Sequence, residues 1–356
     1  MNNIKDPDAT EHYDVPSTDD VPSLLTVILD TNPRAWAALE DTLPLSRAVA
    51  NLLIFINGHL AFSNANQVAV LASHTTGATW LYPPPPEPKA ADGDVDMQGT
   101  TTGGLAPPVS SANKYPLFAQ VEAAVTSAIR KIAASCTPAD LSSTTTKLSG
   151  ALTMALAHIN RASQLLSATV QPGGDRPSTS MLHGLRARIL VVSVSDSQPS
   201  QYIPTMNAVF AAAHLSIPID TLSLSGADTF MQQAAFITSG TFLKASEPRG
   251  ILQYLMMGLM PDGEARAALV PPRHDSVDFR AACFCHGRVV DTAFVCSVCL
   301  GIFCDVPPAA TCLLCGNKLK LGNYGRKPAV LPRKKKRKRK VNGREETASG
   351  TATPRP

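Results

Sequence analysis

The sequence lacks the signature motifs of several common enzyme classes. It contains no P-loop (GxxxxGK[ST]), no GxGxxG turn after the first predicted strand, no GxSxG nucleophile elbow and no HExxH motif. Each motif supplies one part of a site: a phosphate cradle, a dinucleotide pocket, an exposed serine or a pair of histidine ligands. Their absence excludes the best-known forms of P-loop, Rossmann, α/β-hydrolase and zincin chemistry.

Long apolar runs are also missing. No uninterrupted run reaches the roughly 20 residues that a membrane-spanning helix needs, and the longest candidate, residues 251–260, is too short. Residues 1–20 are polar and acidic and have no apolar stretch of the kind that a signal peptide requires. We therefore expect no membrane contact, and a compartment in which thiols stay reduced.

Basic residues are scarce outside the C-terminal end of the chain. Twelve of the 32 Lys and Arg residues, but only two of the 28 Asp and Glu residues, lie from Arg326 onward, so this tail carries +10. The first 325 residues hold the other 20 basic and 26 acidic side chains, a net charge of −6. This balance argues against a globular face that binds DNA sequence-specifically.

The tail contains eight consecutive cations, which repel one another and favour an extended chain. Such a run is typical of a nuclear import signal, and it leaves the tail free for weak contact with phosphate. The alternative is a tail that serves only solubility. The predicted import residues are Arg333, Lys334, Lys335, Lys336, Arg337, Lys338, Arg339 and Lys340.

Cysteine is nearly absent from the first 282 residues, where Cys136 stands alone, whereas the other seven cysteines fall within residues 283–315. Two Cys-x-x-Cys pairs, separated by twelve residues, offer four thiolates at the spacing of a tetrahedral zinc site. Disulfides are the alternative, and the lack of a secretion signal disfavours them. The predicted main zinc site comprises Cys296, Cys299, Cys312 and Cys315.

Four further donors, Cys283, Cys285, His286 and Cys304, are interspersed with this site along the chain. They form a second zinc site interleaved with the first, as in cross-braced RING-like modules, or they are reduced thiols packed around a single-zinc ribbon. Both readings remain open, so the sequence predicts one Zn²⁺ ion and leaves a second undecided. A RING-like module also raises a ubiquitin ligase component as a rival function.

Cations are missing from the main cysteine site itself. No Lys or Arg lies within residues 296–315, whereas a DNA-reading zinc finger needs cations close to phosphates. This part of the chain is instead rich in apolar side chains, and we predict that it buries an apolar face against another protein. The apolar residues are Val298, Leu300, Ile302, Phe303, Leu313 and Leu314.

Upstream of the cysteines, apolar runs alternate with helical patterns. Residues 24–29 (LLTVIL) predict a central strand buried on both faces, and residues 45–60 predict a helix that residues 57–59 (NGH) close or bend. Residues 68–73 and 78–82 predict a hairpin. Later runs continue the alternation, which predicts an α/β fold: a doubly wound, mostly parallel sheet with one antiparallel hairpin strand.

The composition divides the chain into five parts. They are a flexible N-terminus (1–20), an α/β domain (21–260), a linker (261–280), a zinc-binding module (281–325) and a basic disordered tail (326–356). Residues 83–114, which are rich in Pro, Gly, Ser and Thr, are predicted to be a disordered insertion within the α/β domain.

Asp30 and Asp196 follow predicted strands, at the sheet edge where α/β proteins bind ligands. An acidic residue closing the first strand, an early hairpin and alternating helices resemble a von Willebrand factor A domain. That family binds Mg²⁺ through a D-x-S-x-S motif, a Thr and a later Asp, whereas Asn32 and Arg34 replace the two serines here. With two hydroxyl ligands lost and a cation added, the resemblance implies that Asp30, Asn32, Arg34 and Asp196 bind no metal. A metal-dependent A-domain ligand binder is the alternative.

An A-type domain without its metal motif, the segment DFRAACFCH at residues 278–286, the cysteine pairs and a lysine-rich tail together resemble the small A-domain subunits of the transcription and DNA repair factor TFIIH. The resemblance covers the chain except residues 83–114 and the termini. It implies a nuclear, non-catalytic structural subunit of the TFIIH core, acting in RNA polymerase II transcription initiation and nucleotide excision repair. It also implies as partners the larger A-domain subunit and other core subunits, with no small-molecule substrate.

Overall fold

Six strands form one sheet in the order β3-β2-β1-β4-β5-β6 in the computed structural model. Neighbouring strands are parallel except β2 and β3, which pair antiparallel at one edge. This topology confirms the predicted von Willebrand A-type, doubly wound sheet with one antiparallel hairpin strand. The strands are β1 (Ser23–Asp30), β2 (Gln67–Ser73), β3 (Ala78–Tyr82), β4 (Arg186–Ser193), β5 (Ile219–Ser223) and β6 (Phe242–Lys244).

The structure describes residues 21–85, 116–169, 182, 184–226, 228–270 and 277–319. The predicted flexible N-terminus, nearly all of the predicted insertion and the basic tail with its predicted import residues lie outside these ranges.

Helices cover both faces of the sheet. The longer ones are α2 (Leu45–Phe62), α3 (Pro116–Ser135), α5 (Leu148–Thr169), α6 (Tyr202–His214) and α7 (Thr229–Ile237). The shorter ones are α1 (Pro33–Leu39), α4 (Pro138–Ser142), α8 (Ile251–Gln253), which continues as a π-helix over Tyr254–Leu259, and α9 (Gly263–Ala268).

Strand β1 lies at the centre of the sheet and separates two apolar cores. Leu25, Val27 and Leu29 face the core formed with α2, α3 and α8, whereas Leu24 and Ile28 face the core formed with α5, α6 and α7. This alternation follows from the two-residue period of a strand. The prediction of a strand buried on both faces is confirmed, because each of these side chains is at most 1% exposed.

Helix α2 differs from the sequence-based expectation in two ways. It continues through residues 57–59 to Phe62, so the prediction that these residues close it is wrong. Gly58 sits within the helix, where an added Cβ would lie 3.0 Å from the Met260 Cε atom. The helix is also long and apolar enough, by length and composition, to cross a membrane. Because eight of its side chains are buried against the rest of the fold, it has the character of a core helix.

Residues 277–319, which we call the cysteine-rich segment, contain four two-residue strands in two small antiparallel sheets. Strand β7 (Ala281–Ala282) pairs with β8 (Val289–Val290), and β9 (Phe294–Val295) pairs with β10 (Ile302–Phe303). Its own buried core consists of Cys296, Phe303 and Cys312. This core is far too small to stabilise the segment by apolar burial alone.

The predicted linker contains α9, which an ion pair attaches to the sheet. Arg266 donates from Nη1 and Nη2 to the two carboxylate oxygens of Asp220 at 2.8 and 2.6 Å. Asp220 lies in β5 and is 1% exposed, and it also accepts from the backbone N–H of Thr241 at 2.8 Å. The pair therefore joins the segment after the sheet to the sheet's interior.

We predict that Arg266→Ala lowers the free energy of unfolding by about 3–5 kcal/mol, because it leaves the buried Asp220 carboxylate without its hydrogen-bonded ion-pair partner. Urea unfolding followed by tryptophan fluorescence measures this, since Trp36 and Trp80 both lie in the α/β domain (residues 21–260), which we call the A-type domain. The control is Arg280→Ala, whose ion pair with Asp278 is exposed, so that little change is expected. Equal effects of the two variants would contradict the interpretation.

Candidate functional site

Three turns in the cysteine-rich segment share one backbone geometry. In each, the N–H of a cysteine donates to the carbonyl five residues later, and its carbonyl accepts from the N–H four residues later. The bonds are Cys283 N to Arg288 O, Cys296 N to Gly301 O and Cys312 N to Asn317 O at 2.7–3.0 Å, and Gly287 N to Cys283 O, Leu300 N to Cys296 O and Gly316 N to Cys312 O at 2.9–3.0 Å.

The residue four positions after each cysteine has a left-handed backbone, with φ of 60° at Gly287, 57° at Leu300 and 68° at Gly316. This conformation reverses the chain tightly and brings the side chains at positions one and four of the turn to the same side. Positions one and four hold Cys and His in the first turn and two Cys residues in each of the other turns, which is the ligand spacing of zinc-binding turns.

The predicted main site, which we call the outer cluster, brings Cys296, Cys299, Cys312 and Cys315 together. Their four Sγ atoms lie within 4.8 Å of one another, with Cys296 to Cys315 at 3.6 Å and Cys299 to Cys312 at 3.4 Å. A tetrahedral zinc ion with Zn–S bonds of about 2.3 Å sets its sulfurs about 3.8 Å apart, whereas a disulfide bond is about 2.05 Å long. The spacing fits a metal ion.

The four remaining donors, Cys283, Cys285, His286 and Cys304, form a second group that we call the inner cluster. Cys304 Sγ lies 3.4 Å from Cys285 Sγ and 3.1 Å from His286 Nδ1. Three thiols and one imidazole are a common donor set for structural zinc. The two clusters interleave along the chain, because Cys304 lies between the two Cys-x-x-Cys pairs of the outer cluster.

The electrostatics of the thiols are uneven. Backbone N–H groups of Cys299 and Val298 directed at the sulfur lower the pKa of Cys296 to about 6. The hydrogen-bonded thiol of Cys285, together with desolvation, raises the pKa of Cys304 to about 11. The crowded sulfurs therefore cannot all ionise without a nearby cation, and a bound divalent ion would supply that charge.

The two turns of the outer cluster carry exposed apolar side chains, which we call the apolar tip. Val298, Leu300, Leu313 and Leu314 are 66%, 70%, 54% and 45% exposed. No Lys or Arg lies within residues 296–315, so the two turns themselves have no cation to offer to a phosphate.

In the A-type domain, Asp30 ends β1 and binds backbone groups. Its Oδ1 accepts from Asn32 N at 3.1 Å, and its Oδ2 accepts from Val194 N at 3.1 Å and Ser195 N at 2.9 Å. Burial raises the pKa of Asp30. The carboxylate thus joins the end of β1 to the chain that leaves β4.

Asn32 is the N-cap of α1. Its Oδ1 accepts from Arg34 N and Ala35 N, and its Nδ2 donates to Ser195 Oγ at 3.1 Å. Arg34 is exposed on the first turn of that helix. The two positions that hold serine ligands in metal-binding A domains thus begin a helix in this chain.

Asp196 and Asp30 line one small cavity of about 30 Å³ at the carboxyl edge of the sheet. Sequence reasoning missed a third carboxylate in this cavity, Asp228. The available signal was its position immediately before α7, at the same edge of the sheet. Its Oδ1 accepts from Ser193 Oγ at 3.0 Å, and its buried Oδ2 has no hydrogen-bond partner among the described residues. Burial raises the pKa of Asp228 to about 7.

Asp228 binds its proton more tightly in the folded chain than in the unfolded chain, so we predict that its contribution to stability is lost as pH rises from about 4 to 7. Because Asn stays neutral at both pH values, Asp228→Asn should raise the free energy of unfolding above that of wild type by up to about 4 kcal/mol more at pH 8 than at pH 4. Urea unfolding across this range measures the difference. Asp41→Asn, at an exposed carboxylate outside this cavity, is the control, and the same pH dependence of stability in wild type and Asp228→Asn would contradict the assignment.

Comparisons with known proteins find relatives that match most of the chain. The family described as transcription factor Tfb4 matches residues 22–316. A Schizosaccharomyces pombe protein named general transcription and DNA repair factor IIH subunit tfb4 is 42% identical over 300 residues, covering 84% of this chain and 89% of that protein. The subunit TFB4 of Saccharomyces cerevisiae is 32% identical over 336 residues, covering 90% and 94%.

A solved structure agrees. The crystal structure of the TFIIH p34 N-terminal domain is 55% identical, with a TM-score of 0.55, and it covers 68% of this chain and 100% of that one. The family match includes the A-type sheet and both cysteine clusters, and the relatives match over nearly their whole length. The chain therefore belongs to the transcription factor Tfb4 family.

Proposed function

We propose that this chain is a non-catalytic structural subunit of the TFIIH core, acting in RNA polymerase II transcription initiation and nucleotide excision repair. The observation that carries the proposal is the family match across residues 22–316, which spans both the sheet and the cysteine clusters, with relatives named as TFIIH subunits. The chain then works in the nucleus, through contacts with other proteins.

The carboxyl edge of the sheet supports a role without metal-dependent ligand binding. Asp30 and Asn32, which would be metal ligands in an active A domain, bind backbone groups and a serine instead. We therefore expect no Mg²⁺ at this edge. The alternative of a metal-dependent A-domain binder is not favoured, and neither is a RING-type ligase, because the relatives are named as transcription and repair factor subunits.

Both cysteine clusters are proposed to hold one Zn²⁺ each. Each cluster offers four donors within 4.8 Å of one another, and the segment's own apolar core is three residues. Zinc would supply the folding free energy that such a segment lacks. The donors proposed are those of the outer cluster and of the inner cluster, without any catalytic role.

The larger A-domain subunit of TFIIH is proposed as the main partner, and the apolar tip as one surface that contacts it. The tip is exposed and its two turns contain no Lys or Arg, which suits an apolar protein surface rather than a nucleic acid. Residues 333–340, which lie outside the described residues, are proposed as the nuclear import signal, with weak phosphate contact as an accessory role.

Native mass spectrometry of the full chain is expected to find two zinc ions. Cys296→Ser should remove one, because it breaks the outer cluster, whereas Cys136→Ser should keep both, since Cys136 belongs to neither cluster. Recovery of a single zinc ion in the wild-type chain, or loss of zinc in the Cys136 variant, would contradict the two-site assignment.

Affinity purification from nuclear extract tests the partner. The wild-type chain should recover the larger A-domain subunit and the other core subunits in equal amounts, and EDTA brief enough to leave the zinc content unchanged should not release them. Leu300→Asp combined with Leu313→Asp should reduce recovery of the larger subunit about tenfold or more, because two charges would be buried at the contact. Val289→Asp, in the same segment outside the tip, is the control. Full recovery by the double variant would remove the apolar tip from the interface.

A further inference from the structure

The first of the three cysteine turns lies against the A-type domain. Strand β7, which leads into this turn, contacts α6. A Cβ added to Gly287 would come within 3.1 Å of Ser200 Cα and 3.3 Å of Ser200 N, closer than most real contacts of this kind. Ser200 belongs to a 3₁₀ turn, Pro199–Gln201, which immediately precedes α6. Glycine at position 287 thus permits a close approach of two backbones.

The chain that enters this turn is held by α7. Gln233, which is 2% exposed, donates from Nε2 to the backbone carbonyls of Asp278 and Arg280. The ring of Phe236 lies edge-on to that of Phe279, with centroids 5.1 Å apart. A buried amide and an aromatic pair therefore fix residues 278–280 on the surface of the A-type domain.

The same turn supplies three of the four donors of the inner cluster. Cys283, Cys285 and His286 precede Gly287 directly, and Cys304 is contributed by the chain that follows β10. Phe284 N also donates to Ile302 O at 2.7 Å. A metal ion in the inner cluster would therefore connect the turn that touches the A-type domain with the rest of the cysteine-rich segment.

The outer cluster lies apart from this contact. Gly316 has nearly the same left-handed backbone as Gly287, yet an added Cβ there would meet no atom within 4 Å in the part of the chain that the structure describes. The side chains of the apolar tip, on the same two turns, are exposed. One cluster thus adjoins the A-type domain and the other faces outward.

We propose that the inner cluster fastens the cysteine-rich segment to the A-type domain, so that loss of metal from this cluster alone undocks the segment while the outer cluster keeps its own turns. The inference rests on the proposed binding of zinc by the inner cluster. It assigns different tasks to two clusters of similar geometry: the inner one holds the arrangement of the two domains, and the outer one shapes the surface offered to a partner.

The turn that contacts Gly287 lies close to the carboxyl edge of the sheet. Gln198 and Gln201, which flank Ser200, line the cavity beside Asp30 and Asp196. The fastened segment therefore stands next to the edge that other A domains use for ligands.

Gly287→Ala and Gly316→Ala form a matched pair for the test, because both impose the same left-handed strain on an alanine but only the first meets the A-type domain. Hydrogen exchange of the full-length protein is the measurement. Gly287→Ala should speed exchange of the amides of Ser200 and Gln201 and of those at the end of α7 about tenfold or more, since undocking removes the segment that lies against them. Gly316→Ala should leave them unchanged.

His286→Ala tests the metal directly, with zinc counted by native mass spectrometry on the same sample. The proposal expects one zinc ion instead of two and the same faster exchange at Ser200, Gln201 and the end of α7, whereas Cys315→Ser should lose one zinc ion without that change. If His286→Ala loses one zinc ion and exchange is unaltered, fastening is overturned while zinc binding stands. If the wild-type chain carries zinc only in the outer cluster, zinc binding by the inner cluster and fastening by it are both overturned.

Discussion

The cysteine-rich segment depends on its two four-donor clusters, because apolar burial cannot hold it. Four strands of two residues each and a core of Cys296, Phe303 and Cys312 offer little surface to remove from water. The clusters instead bring together chain segments up to about twenty residues apart, with sulfur atoms at distances that suit a tetrahedral ion. On the proposal that both clusters bind zinc, the surface that this segment presents to a partner, including the apolar tip, depends on those donors staying together.

In contrast to the cysteine clusters, the carboxyl edge of the sheet in the A-type domain uses its potential metal ligands to bind the protein's own groups. The positions that would hold a divalent ion now serve the fold: Asp30 accepts three backbone N–H groups, and Asn32 caps α1 while it donates to Ser195. The resulting excess of carboxylates is relieved at Asp228, where burial favours the protonated acid. A subunit that only has to hold its partners in place can accept this, because it needs no exchangeable ion.

The sequence was sufficient for the sheet and for the donors, but less so for their surroundings. Apolar runs located β1 and the β2–β3 hairpin because buried strands leave a continuous pattern, and the Cys-x-x-Cys spacing predicted the outer cluster, whereas the donors of the inner cluster were left open between a second zinc site and packed thiols. Helices α1 and α4 were missed, since seven and five residues are too few to show a helical period; their caps, Asn32 and Thr137, were the available signals. The Cys-x-x-His spacing of Cys283 and His286 was a further available signal, whereas the close approach of Gly287 to Ser200 depends on tertiary packing that no local pattern reveals.

The central claim is that the chain is a structural part of the TFIIH core, and assembly of the core from purified subunits tests it most directly. Light scattering coupled to size-exclusion chromatography would weigh the assemblies formed with and without this chain. The account predicts that the complete core contains one copy of the chain, and that without it the larger A-domain subunit fails to join the remaining subunits stably. A core of otherwise full composition, assembled equally well without the chain, would contradict it.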